Sequence, residues 1–220
     1  MLTEEQIAAN KDLFLELVNQ IQRPNFNKEV FINMLNNSDF FTAPASTKYH
    51  NDFAGGLCDH CLKVYDNFNR LVAMKELEVK DPDSLIIMPL FHDLGKINMY
   101  TLGTKNVKHY CTEEEYKADP KAYKAFDEIG NYKWQAETYW TTVENDKRFL
   151  FGNHEETCEY IASMYIPLRR EESIAILHHT GGLNFDSNPE GLYNIYRAYP
   201  LAMLLFMADY MASIVDEVVE

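Results

Sequence analysis

Apolar positions recur at helical spacing over most of the chain. Thr3-Glu4-Glu5-Gln6 has the form of a capping box, and Ile7, Phe14, Leu17, Val18 and Ile21 then fall on one helix face that Arg23-Pro24 ends. Asn27 can cap a second, shorter helix carrying Val30, Phe31, Met34 and Leu35, whereas Ser38 to Phe53 reads as loop. Gly55-Gly56 precedes a third helix with Leu57, Cys61, Val64, Tyr65, Phe68, Leu71 and Val72 on its apolar face, and His60 lies on that face. Asp81-Pro82-Asp83-Ser84 breaks and recaps the chain before an apolar run, Leu85 to Leu90, which ends at Phe91-His92-Asp93-Leu94-Gly95-Lys96. Further on, a helix from His154 carries Cys158, Ile161 and Tyr165 and stops at Pro167. The next runs from Arg170 to the doublet His178-His179, where Gly181-Gly182 suits a C-terminal cap. The last buries Leu201, Leu204, Leu205, Ala208 and Met211, with Asp209 among them.

Residues 100 to 152 interrupt this pattern. Thr112-Glu113-Glu114-Glu115 resembles a helix start. Tyr132, Trp134, Ala136, Thr138 and Trp140 alternate with mostly polar residues, as in a strand, and Glu144-Asn145-Asp146-Lys147 can turn that strand back into Arg148 to Phe151. The expected fold is therefore an all-α helical bundle with a small β-hairpin insertion around 131–151. Neither a repeat nor a low-complexity linker divides the chain, so 1–220 is expected to be a single domain, with a core at about 44–213 and N-terminal helices at 1–43.

Composition narrows the function classes. The chain has 220 residues, 46% of them hydrophobic, which is enough for a packed core. Its net charge of −14 disfavours a grip on long nucleic acids through their phosphates, but not a small phosphorylated substrate whose charge a metal neutralises. Met1-Leu2-Thr3-Glu4-Glu5 lacks the features of a signal peptide, and the run Leu201 to Ala208 is too short to span a bilayer, so a cytoplasmic location is expected. Cys58, Cys61, Cys111 and Cys158 then read as reduced thiols. Cys58 and Cys61 form a C-x-x-C, but no second pair follows to complete a zinc ribbon.

The candidate chemistry lies in the histidines and two aspartates. A lone histidine on an apolar face is more often a hydrogen-bonded core residue than a ligand. Here His60, His92-Asp93, His154, the 178/179 doublet and Asp209 each lie on or at the end of a different helix, and bundles build metal sites from inward residues on facing helices. Asp209 weighs most, because a carboxylate on so apolar a helix is costly to bury unless something compensates it. Imidazole and carboxylate together suit transition metals better than calcium.

The pattern His60 … His92-Asp93 … Asp209 resembles the HD-domain metal-dependent phosphohydrolases. Gly55-Gly56-Leu57-Cys58-Asp59-His60 is similar to the segment before the first histidine in one branch of that family. His92-Asp93-Leu94-Gly95-Lys96 and Ala208-Asp209 match its central and final motifs, and Gly152-Asn153-His154 and His179-Thr180-Gly181 look like the extra histidine motifs of its binuclear members. Asn153 departs from the glycine that often precedes that histidine. The resemblance implies an HD-domain bundle in which His60, His92, Asp93 and Asp209 hold one metal. Asp93 would bridge to a second metal held by His154 and His179, the His-x-Gly spacing favouring His179 over His178. It implies two divalent metals, drawn from Mn, Fe, Zn, Co, Ni or Mg. It also implies hydrolysis of a phosphoester of a nucleotide or other small substrate by a metal-activated water, with Lys96 stabilising charge on the phosphoryl group. A 3′–5′ exonuclease or phosphodiesterase is the first alternative, since Lys48-Tyr49-His50 to His60 resembles a branch of HD exoribonucleases. A non-enzymatic nucleotide sensor and a di-iron oxygenase are the others. His50 is either a residue of the site mouth or an ordinary loop residue.

Overall fold

The computed structural model describes residues 1–142, 148–181 and 189–217. Helix α1, Glu4–Gln20, starts at Thr3 with both hydrogen bonds of the expected capping box, and α2 spans Lys28–Asn36. Helix α3, Gly56–Met74, is the longest and buries His60 together with its apolar stripe. Helix α4, Ser84–Phe91, contains Pro89, which has no N–H to give to the carbonyl of Leu85. Asn69 on α3 donates its side-chain amide to that carbonyl instead, at 3.3 Å. A short 3-10 turn, Leu94–Lys96, follows directly.

The remaining helices are α5 (Glu113–Ala118), α6 (His154–Tyr165), α7 (Arg170–Leu177), α8 (Pro189–Ala198) and α9 (Pro200–Met211), the last running on into a π-helical turn, Ala212–Asp216. Three strands, β1 (Tyr100–Tyr110), β2 (Ala125–Phe126) and β3 (Asn131–Thr142), form one sheet in the order β1-β3-β2. β2 pairs antiparallel with β3, Ala125 opposite Tyr132 and Phe126 opposite Asn131.

The chain falls into two compact units, Met1–Tyr100 with Thr142–Glu220, and Thr101–Thr141. In the first, Phe14 meets Phe40 and Phe41 at ring-centroid distances of 4.9 and 5.9 Å, so the Ser38 to Phe53 loop contributes to the core. A second apolar cluster joins Val64, Phe68, Leu71 and Val72 of α3 to Leu201, Leu204, Leu205 and Ala208 of α9. A buried ion network ties the ends of this unit's helices. Arg23 grips both oxygens of Glu172, at 2.9 and 2.6 Å, and reaches Asp81 at 2.7 Å, while Ser84 donates to Glu172 at 2.6 Å.

The expectation of an all-α HD-type bundle is overturned, because the chain has a helical majority together with a three-stranded antiparallel sheet. β3 does cover the alternating stretch around Trp134, but it pairs with β1 and β2, and Arg148 to Leu150 form no strand. The turn expected at 144–147 lies outside the described residues. β1 escapes a reading by periodicity because most of its positions are half-buried or exposed on both faces, leaving no core-facing alternation to see. Lys105 and Lys108 lie on β1, with Lys108 paired to Asp127. Among the described residues no single helix is long and apolar enough to cross a membrane.

Candidate metal centre

Backbone requirements at two glycines deliver the first ligand candidates. At Gly56, a Cβ would sit 2.2 Å from the carbonyl oxygen of Asn51, so only glycine allows α3 to begin against that loop, one turn before His60. At Gly95, a Cβ would lie 2.9 Å from the Cys158 sulfur and 3.3 Å from His154 Nδ1, so the 3-10 turn after Asp93 can approach α6 only as glycine. Asn153, the departure from the usual glycine, caps α6: its side chain accepts from the Glu156 N–H at 2.8 Å, and Glu156 accepts from the Asn153 N–H at 2.9 Å.

Three histidines are held by their Nδ1 atoms. His92 donates to the carbonyl of Pro89 at 2.8 Å, a group left free because α4 ends at Phe91. His179 donates to the carbonyl of Ile176 at 2.7 Å. His60 donates to Glu217 at 3.0 Å. Each bond fixes the ring and leaves its Nε2 as the inward atom, the usual way an imidazole is oriented towards a metal.

Those Nε2 atoms converge on Asp93, and its two oxygens face different partners. Oδ2 is 3.4 Å from His60 Nε2 and 3.5 Å from His92 Nε2. Oδ1 is 2.8 Å from His154 Nε2 and 3.7 Å from His179 Nε2. Asp209 Oδ1 lies 3.2 Å from His60 Nε2. All six ligand candidates read from the sequence therefore come together, as does Lys96, whose Nζ is 2.7 Å from Asp93 Oδ2. The closest donor groups are His60 with His92 and Asp209, His92 with Asp93 and His179, Asp93 with His154 and Cys158, and His50 with His60 and Glu217. His179 thus groups with His92, and His154 with Cys158.

Burial and neighbouring charges together set the protonation of these groups. His60, His92, Asp93 and His179 are almost fully buried. Burial pushes His92 down to about 4 and also lowers His179, where the neighbouring His154 adds to it. Burial alone would lower His60, but hydrogen bonds to Asp209 and Glu217 outweigh it and raise the ring to about 10. His154 rises likewise to about 10, against burial, through Cys158 and Asp93. Asp93 is held well below the ordinary carboxylate range although burial opposes this, because Lys96, His92 and His154 surround it.

This donor set fits a divalent transition metal. His60 Nε2 and His92 Nε2 face each other at 3.3 Å, a repulsive arrangement unless a proton or a cation lies between them. Asp93 Oδ2 is buried, with Lys96 Nζ 2.7 Å away and the Nε2 atoms of His60 and His92 at 3.4 and 3.5 Å. Imidazole and carboxylate atoms at these separations are what a transition metal with bonds of about 2.0–2.2 Å requires.

Glu217 has no counterpart in the sequence reading. It is one of 34 acids and lies in no motif. Its place follows from the π-helical turn, whose extra residue per turn carries Glu217 to the side that Asp216 would occupy on an unbroken helix. Asp216 instead accepts from Asn67 at 2.7 Å. His50 proves to be a neighbour of the cluster, 2.6 Å from Glu217. Comparison of the chain with protein-family models, curated proteins and solved structures finds no match.

Proposed function

We propose that this chain is a metal-dependent phosphohydrolase that cleaves a phosphoester of a nucleotide or another small phosphorylated substrate. The observation that carries the reading is the division of Asp93, with one carboxylate oxygen towards His60 and His92 and the other towards His154 and His179. A carboxylate so placed is suited to bridge two ions. The resemblance of His60, His92-Asp93 and Asp209 to the HD-domain phosphohydrolase motifs supports the same assignment. Metals bound there supply a water acidified towards neutral pH and a clamp for the phosphoryl oxygens.

The chain's own residues do the rest. Glu217, Pro89 and Ile176 fix the rings of His60, His92 and His179 before any ligand arrives, so no reorganisation is needed there. Lys96 keeps its charge, because Asp93 outweighs the effect of burial, and it stands beside the centre where charge develops on a phosphoryl group. His154 and Asp209, each about a fifth exposed, form the open side through which a substrate reaches the cluster. A small substrate is favoured over a long nucleic acid by the net charge of −14 and by the engagement of Lys108 with Asp127.

The test is phosphate release from a panel of nucleotides and sugar phosphates, with protein loaded separately with Mn, Fe, Zn, Co, Ni and Mg. Metal-dependent release that Asp93→Ala abolishes supports the reading. Preference for oligonucleotides, with a steep salt dependence, moves it to the exonuclease alternative. No release by any loaded form, with nucleotide binding retained, moves it to the sensor.

A further inference from the structure

Cys158 stands one helical turn after His154 on α6, a spacing that puts both side chains on one face. Its sulfur lies 3.7 Å from His154 Nε2, which in turn lies 2.8 Å from Asp93 Oδ1, and donor atoms of the three residues fall within 4.8 Å of one another. A tetrahedral ion with metal–sulfur and metal–nitrogen bonds of about 2.3 and 2.0–2.1 Å separates those two donors by roughly 3.5–3.6 Å. The sulfur–Nε2 spacing is close to that demand, but the sulfur is almost as near His154 Nδ1, at 3.8 Å, so the ring must turn to direct Nε2 and the sulfur at one ion.

Two further observations point the same way. The backbone N–H of Gly95 donates to the sulfur at 3.2 Å, so this thiol meets a polar partner and is not packed as apolar filler alone. Asp93, 2% exposed, brings a buried carboxylate to the same group of donors. The ordinary explanation of a buried cysteine is a small apolar filler. That explains Cys58 and Cys61, which join no such donor group among the described residues, but it leaves the convergence of Cys158 with His154 and Asp93 unexplained.

We infer that Cys158 is a sulfur ligand to a metal held by Asp93 and His154, and that this position selects a thiophilic divalent ion (zinc, cobalt or ferrous iron) over magnesium. The inference rests on the metal-centre reading above and deepens it. Sulfur beside imidazole and carboxylate is a donor set that hard cations disfavour.

Cobalt(II) added to the reduced full-length protein tests it, because cobalt reports its ligands in the absorption spectrum. The expected result is a sulfur-to-cobalt charge-transfer band in the near ultraviolet together with the visible bands of bound cobalt. Cys158→Ser should lose the charge-transfer band and keep the visible bands, and Cys61→Ser should keep both. X-ray absorption at the zinc edge of the wild-type protein does not depend on any variant folding, and should show a sulfur shell at about 2.3 Å. Bound cobalt without the charge-transfer band, or zinc without a sulfur shell, overturns the sulfur ligand while leaving the metal centre standing. Failure of either metal to bind overturns both.

Discussion

Glu217 accepts a hydrogen bond from His60 Nδ1 at 3.0 Å, and its other oxygen lies 2.6 Å from His50 Nδ1. The carboxylate is fully buried, and the two histidines hold it down at about 2 although burial opposes this. A residue far from the central motif thereby fixes which nitrogen of His60 faces Asp93.

Removing that carboxylate should weaken metal binding without removing a ligand. Glu217→Ala is expected to lower metal affinity about 10–100-fold, the range seen when outer-shell partners are lost. Glu217→Gln, which can still accept at Nδ1, should cost less. Competition against a chelator of known affinity measures both, and equal affinities in wild type and Glu217→Ala would show that the contact does not orient the ring.

The backbone approach at Gly56 sets a second expectation. A Cβ there meets the Asn51 carbonyl at 2.2 Å, so Gly56→Ala must shift either the loop or the first turn of α3. Overpacking of this kind costs about 1–3 kcal/mol. Urea unfolding should show that loss, and metal affinity should fall with it because His60 moves with the turn. A variant as stable as wild type would mean that the loop yields freely.

Arg23 is the third case. Its guanidinium binds both oxygens of Glu172, which is fully buried, so Arg23→Met leaves a buried carboxylate without its ion partner. The expected loss is about 3–5 kcal/mol. The double variant Arg23→Met with Glu172→Leu should recover much of it. Denaturant titration of wild type, Arg23→Met, Glu172→Leu and the double variant completes a cycle, and simple additivity would contradict the coupling.

The same network gives a pH dependence. Burial would raise the Asp81 carboxyl, but the Asp83 N–H and the guanidinium groups of Arg23 and Arg169 outweigh it and lower its pKa. A carboxylate lowered in the folded state contributes stability that is present above its unfolded pKa of about 3.9 and is lost as pH falls through the folded value. Thermal midpoints of wild type should therefore fall towards those of Asp81→Asn below about pH 4. A gap that persists unchanged at pH 2 would contradict this sign.

Much of the histidine–aspartate cluster was legible in the sequence because its members break an apolar pattern. Asp209 stands out on the apolar face of α9, and His92-Asp93 ends the apolar run of α4. Nothing comparable marks Glu217, which reaches His60 only because a π-helical turn shifts the register. The pairing of Cys158 with His154 was visible as shared helix face, but its approach to Asp93 depends on how closely Gly95 lets the 3-10 turn meet α6. The sheet was half legible. β3 alternates, whereas β1 has little buried surface to impose a period, and strand partners distant in sequence leave no local trace. The Arg23–Glu172 pair, far apart along the chain, is invisible to any reading by local spacing.

The most direct test is the metal content of the reconstituted protein by mass spectrometry, compared with that of Asp93→Ala. If Asp93 bridges the cluster through its two oxygens, wild type should retain two divalent ions per chain after gel filtration, and Asp93→Ala should lose both together. Retention of one ion by Asp93→Ala would contradict the bridge, and a wild-type protein that retains none would contradict the metal centre itself.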